Sequence, residues 1–237
     1  MANKKNLEES KLNNLDFLNL DTKEKCYLLG LLMADGYITK NSLWMYLVED
    51  DLINLQPLLN KVLPFNYYRR ELKNRKPQMC LNIHSRHLIK SLNTDFQFND
   101  KSNVFYDINI NKKYLKYYLR GYFDGDGCFF IKSYFDKRRN KNYINSSFNV
   151  SSTHNFDWSN LESILKEYNI EYRIVRYNYP EKNSKFSRIV ITKKSEMLKL
   201  INFLYEDKYD NIGLLRKYNK AKEIKNFINE KVKSTLA

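Results

Sequence analysis

A chain of 237 residues, 43% of them apolar, is long and apolar enough to bury a core, which excludes a disordered tail. Lys and Arg number 41 against 27 Asp and Glu, and the formal charge of +14 points to a polyanionic partner, nucleic acid foremost. Three scattered cysteines, Cys26, Cys80 and Cys128, give neither a zinc spacing nor a disulfide framework, and His84 and His87 have no acidic or cysteine co-ligands beside them.

In chain order, Met1–Ser10 is polar and carries no apolar core of a signal peptide. The longest apolar run, Cys26–Ala34, is far too short to span a membrane. The expectation is an intracellular protein with no membrane partner, working in a DNA-containing compartment of an AT-rich genome (phage-infected or low-GC bacterium, or organelle). That apolar run leads into Leu28-Leu29-Gly30-Leu31-Leu32-Met33-Ala34-Asp35-Gly36, which predicts the end of a helix with two small residues four apart, then an aspartate and a glycine. A strand follows over Leu43–Val48, then a helix with Leu52, Leu55, Leu58, Leu59 and Val62 at three- and four-residue spacing. Two short strands, Tyr67–Leu72 and Gln78–His84, and a helix from Arg86 complete the first half.

Asn99–Lys113 is the bridge to a second half that repeats this order. Leu119-Arg120-Gly121-Tyr122-Phe123-Asp124-Gly125-Asp126-Gly127 is the counterpart of the first nonapeptide. Strands are expected at Cys128–Ile131 and Ile144–Ser151, a helix around Leu161–Tyr168, and strands near Tyr172–Tyr177 and Arg188–Thr192. Helices over Glu196–Tyr205 and Leu214–Phe227 end the chain. Each half is helix–strand–strand–helix–strand–strand–helix. The predicted class is α+β, with pseudo-symmetric halves at residues 1–98 and 114–237 and a linker at 99–113.

The small residues carry the physical argument. Gly30 with Ala34, and Gly121 with Gly125, present faces on which a second helix backbone can come close. If the two helices pack on each other, Asp35 and Asp126 emerge side by side. Carboxylates at helix C-termini are disfavoured by the helix dipole and by each other, so the arrangement makes sense around divalent cations. Mg²⁺ takes one or two carboxylates plus waters and phosphates, so the pair points to metal-assisted phosphodiester hydrolysis, with a lysine offsetting phosphate charge. The Asp-Gly-Asp-Gly of Asp124–Gly127 is not a calcium loop, because Phe135 stands where the closing glutamate belongs.

With those residues in view, the chain resembles a double-motif, monomeric LAGLIDADG homing endonuclease. Leu28–Gly36 keeps Leu28, Gly30, Leu31, Ala34, Asp35 and Gly36 of the signature, and departs at Leu29, at Met33 and, conservatively, at Leu32. Leu119–Gly127 keeps Leu119, Gly121, Asp124, Asp126 and Gly127. The resemblance implies two αββαββα halves packed through their motif helices, with eight strands forming a saddle in the major groove of double-stranded DNA. It implies Mg²⁺, with Mn²⁺ or Ca²⁺ able to occupy the site, held by Asp35 and Asp126 with Ala34 and Gly125 beside them. It also implies a basic residue near each centre, here Lys101 in Lys101-Ser102 and Lys217 in Arg216-Lys217, with Lys193 and Lys194 as rivals. The water-organising glutamine or lysine at the end of the second strand has no counterpart among Glu49, Asp50 and Asp51, or among Ser152, Thr153 and His154.

DNA contacts are expected from Tyr46, Arg69, Arg70, Lys73, Lys132, Tyr134, Arg138, Arg139, Arg173, Arg176 and Arg188, subject to strand register. The expected function is a site-specific endonuclease cutting a long asymmetric target, because only the second motif carries two acids. The alternative is a non-cleaving binder on the same fold: an intron RNA maturase or a DNA-binding regulator. An intein is disfavoured, since the chain lacks the splicing nucleophile and terminal asparagine.

Overall fold

Thr22 opens the first motif helix: its backbone is extended and its hydroxyl accepts the Lys25 amide at 3.3 Å. The helix, α1 (Lys23–Asp35), is buried along nearly its whole length, from Lys25 to Met33. The computed structural model describes residues 16–71, 73, 77–106, 108–206 and 210–236. After Gly36 come β1 (Tyr37–Ile38) and β2 (Ser42–Val48), where buried Leu43, Met45 and Leu47 alternate with half-exposed Trp44 and Tyr46. That period of two is the mark of a sheet covered on one face. Helix α2 (Glu49–Val62) starts on Glu49, Asp50 and Asp51, a charge that suits its N-terminus, and buries Leu52, Leu55, Leu58, Leu59 and Val62. Then follow β3 (Asn66–Arg70), β4 (Gln78–His84) and α3 (Arg86–Phe96), the last capped by the Ser85 hydroxyl on the Leu88 amide.

The second half begins with α4 (Lys112–Asp126) and runs through β5 (Gly127–Asp136), β6 (Lys141–Thr153), α5 (Ser159–Glu167), β7 (Arg173–Tyr179), β8 (Ser184–Ile191), α6 (Lys194–Tyr205) and α7 (Leu215–Leu236). The two halves repeat one topology. Each four-stranded antiparallel sheet has the same order, β1-β2-β4-β3 and β5-β6-β8-β7. The expected α+β class and the repeated αββαββα pattern are therefore observed.

Boundaries shift for local reasons. Strands β5 and β6 run past the apolar residues that predicted them, because each supplies the other's backbone partners out to Asp136 and Lys141. Asp136 steadies their turn by accepting the Arg138 and Arg139 amides, and Asn140 takes the left-handed conformation there, at φ 48°. The expected strand Tyr67–Leu72 forms over Asn66–Arg70, and Leu72, Arg75 and Lys76 lie outside the described residues.

The chain divides into two compact units. The first holds residues up to Lys101, Tyr106–Gly125 and Asn211–Leu215; the second holds Ser102–Phe105, Asp126–Asp210 and the chain from Arg216. Nearly all of α4 thus belongs by contact to the unit of α1, although it opens the second half of the sequence.

Candidate active site and nucleic-acid interface

Within the first unit, α1 and α4 meet through bare backbone. A methyl group built on Gly30 would collide with the Tyr118 carbonyl oxygen, and one on Gly121 with the Tyr27 carbonyl oxygen. Further along the contact, a methyl on Gly125 would strike the Ala34 side chain and sit 3.0 Å from Asp35 Oδ2. The Asp35 carboxylate therefore lies against Gly125, the residue preceding Asp126. Asp35 is exposed at the end of α1 and Asp126, closing α4, is half-buried.

Lys101 and Lys217 reach main-chain oxygens at motif ends. Lys101 Nζ donates to the carbonyls of Met33 and Ala34 at 3.0 and 2.8 Å, where the dipole of α1 favours a cation. Lys217, one turn into α7, donates to the Gly127 carbonyl. The rivals have other occupations. Lys193 pairs with Glu171 at 3.0 Å and lies 3.8 Å from Glu196, while Lys194 stands 5.2 Å over the Phe227 ring. Burial would raise the Glu196 carboxyl, but the Glu171 amide, the Lys199 ammonium and the Ser195 hydroxyl hold it down at about 2. This is an ion cluster that braces α6.

Asp124, the additional acid of the second motif, is buried. Its Oδ2 accepts the Tyr27 hydroxyl at 2.9 Å and the Leu214 amide at 2.7 Å. One turn earlier, buried Arg120 donates to the Ile212 carbonyl at 2.6 Å. Together they tie the segment leading into α7 onto α4. As one of two acids in the second motif Asp124 predicts unequal half-sites, but buried against Tyr27 and Leu214 it is a structural carboxylate. Nothing local in the sequence marks Arg120 as its neighbour in that tie.

A divalent cation of the kind the motifs imply takes oxygen ligands. Glycine at 125, where any side chain would strike Ala34, lets the Asp35 carboxylate come close to the main chain of α4. Among the described residues no group of three or more His, Cys, Asp or Glu converges to form a closed cage. The donor chemistry at the end of α1, the Asp35 carboxylate with main-chain oxygens nearby, is of the kind Mg²⁺ takes together with waters and phosphates. The Ala34 carbonyl is already engaged by Lys101.

Register sorts the candidate DNA contacts by sheet face. In the first sheet Trp44 lies opposite Asn82, Tyr46 opposite Cys80, and Asn66, Tyr68 and Arg70 opposite Asn82, Cys80 and Gln78. These share the face away from Leu43, Met45 and Leu47. Tyr46 shares a hydrogen bond with Tyr37 at 2.8 Å and stacks on it; burial, with that bond, pushes the Tyr37 phenol up to about 12. Arg69 is on the opposite face, bonded to Glu71 at 2.8 Å and 3.7 Å from Glu49. Lys73 lies exposed beyond the end of β3.

In the second sheet Lys132, Tyr134, Arg173 and Arg188 share one face, away from the buried Phe129, Phe148 and Ile189. Tyr134 stacks on Tyr143 at 5.8 Å. Arg138 and Arg139 occupy the β5–β6 turn, where Arg139 also reaches the Tyr143 hydroxyl. Arg176 pairs in register with buried Ser187 and so lies on the helix-covered side. No helix of the described residues is long and apolar enough to cross a membrane.

Comparison with known proteins bears on the fold and on the second motif. Residues 119–229 match the model of the LAGLIDADG endonuclease family. No curated protein matches by sequence. Among solved structures, the I-LtrWI LAGLIDADG homing endonuclease bound to target DNA is similar at 16% identity and a TM-score of 0.62, over 91% of this chain and 93% of that one. Meganuclease I-SmaMI bound to uncleaveable DNA is similar at 12% identity and a TM-score of 0.62, over 89% and 92%. I-SmaMI on uncleaved target in the presence of calcium ions gives 13% and 0.59, over 90% and 93%. Residues 119–229, beginning at the second nonapeptide, therefore match the LAGLIDADG endonuclease family, and the chain as a whole has the fold of the LAGLIDADG homing endonucleases.

Proposed function

We propose that this chain is a site-specific homing endonuclease that hydrolyses both strands of a long, asymmetric double-stranded DNA target as a monomer. Its halves are residues 1–98 and 114–237, joined by 99–113. The observation that carries the reading is the seating of the Asp35 carboxylate against Gly125, next to Asp126, with a lysine on main-chain oxygens at each motif end. A carboxylate at a helix C-terminus is disfavoured by the helix dipole, and a cation held there offsets that cost.

In this reading Asp35 and Asp126 hold Mg²⁺, with the main-chain oxygens of Ala34 and Gly125 beside them. Bound there, Mg²⁺ would supply an activated water and charge neutralisation at the scissile phosphate. Lys101 and Lys217 present positive charge to that phosphate while holding the motif ends in place. The faces bearing Tyr46, Arg70, Tyr134, Arg173 and Arg188 bind the groove, and Lys73, Lys132, Arg138 and Arg139 bind phosphates.

The test is a selection of cleaved duplexes from a random library by the wild-type chain in Mg²⁺, followed by Asp35→Asn and Asp126→Asn on the selected duplex. Each variant is expected to lose cutting by at least about a hundredfold while retaining duplex binding. Undiminished cutting by either variant would overturn the site assignment. Binding without cutting by the wild type would favour the non-cleaving alternative.

A further inference from the structure

Resting on that reading, we infer that the two sheet faces carry different base codes: the first reads an A·T-rich half-site, and the second reads a guanine through Arg188. The argument starts from how Arg188 is held. Its Nε donates to Ser151 Oγ at 2.7 Å across the β6–β8 pair. Its guanidinium lies 4.8 Å over the Phe186 ring and 5.7 Å over Tyr177, two rings that themselves stack at 4.7 Å. No carboxylate is among these partners. A guanidinium bonded through Nε and laid on aromatic rings has lost its rotamer freedom before any ligand arrives. With Nε engaged, the two terminal amino groups form the outward edge, and their spacing matches O6 and N7 of guanine in the major groove. Phosphate neutralisation asks for no such preparation; the exposed Lys132 on the same face suits it.

The second sheet's face also carries Asn145, Asn149 and several rings. What distinguishes the first sheet's face is that, among the described residues, it has no arginine held in this way, so its carboxamides and rings are left to do the reading. On its open face Asn66 and Asn82 stand directly opposite each other, and Gln78 lies opposite Arg70. Carboxamides of this kind pair bidentately with adenine N6 and N7. Around them are Tyr37, Trp44, Tyr46 and Tyr68, whose ring contacts run at 5.6–6.5 Å. Apolar ring surface is what the thymine methyl group offers to bind. The single cation of this face within the strands, Arg70, stands at the end of β3.

The experiment is a binding selection with the full chain on random duplexes in calcium, with bound DNA sequenced. The expected consensus has one A·T-rich half and another with a position favouring guanine by about tenfold or more. Arg188→Lys keeps the charge but loses the fork, and the guanine preference should fall to nearly nothing with the other positions unchanged. Arg188→Gln should move that position toward adenine, which a variant that merely misfolded would not do. Asn82→Ala should erase an adenine preference in the other half only. An Arg188→Lys consensus identical to wild type, or guanine loss confined to the half altered by Asn82→Ala, overturns the proposal. A consensus as expected whose duplexes Mg²⁺ leaves uncut overturns the nuclease reading alone. Failure to retain any duplex overturns both.

Discussion

Gly30 and Gly121 meet the opposite motif helix at its main chain, so the neighbour cannot yield by moving a side chain. Gly30→Ala or Gly121→Ala should therefore force α1 and α4 apart and cost at least about 3 kcal/mol, the upper range for overpacking a core, seen as a lowered urea midpoint at unchanged slope. Other residues of the motifs differ in what their side chains touch. Asp124 and Asp126 are two apart in sequence, yet Asp124 is spent inside the protein on Tyr27 and Leu214. The spacing of acids alone does not distinguish a buried structural carboxylate from one at the helix end. The partners of Asp124 are 97 and 90 residues away, which is why no local pattern revealed its role.

Among the elements, strand register does the sorting. Arg69 and Arg70 are adjacent and chemically alike, and a period of two sends them to opposite faces. Arg69 faces the helix-covered side and is paired with Glu71. Accordingly Arg70→Ala should weaken duplex binding in fluorescence titrations, and Arg69→Ala should leave it nearly unchanged; equal losses would mean that the face carrying Arg70 is not the binding face. The continuous apolar run Leu43–Val48 made β2 legible before any pairing was known, while the alternation of buried Leu43, Met45 and Leu47 with Trp44 and Tyr46 came with the structure. Strand β3 was less so, because all five of its residues are exposed and no apolar stripe marks its inner side. Its register comes only from hydrogen bonds to β4.

At the scale of the molecule, the excess of basic residues is distributed over strand faces, turns and helix ends. Under the proposed function, a formal charge of +14 makes binding to DNA strongly dependent on salt, through release of condensed counterions. Removing one phosphate-contacting lysine, as in Lys132→Ala, should make the slope of log K against log salt shallower by about one without changing the base preferences of a selection. Removing Arg188 should change the preferences. The two kinds of positive charge thus separate in the measurement, one acting on affinity for any duplex and the other on choice among duplexes.

By itself the sequence determined the repeated αββαββα order, the two motif helices and the identity of the small residues at their crossing. These follow from periodicity and residue size, which act over one or two turns of chain. Only the tertiary structure decided that α4 joins the compact unit of α1, that Asp124 turns inward, and which arginines share a sheet face with the tyrosines. Each of those outcomes depends on a partner tens of residues away, chosen by close packing and strand pairing, and no local pattern in the chain encodes that choice.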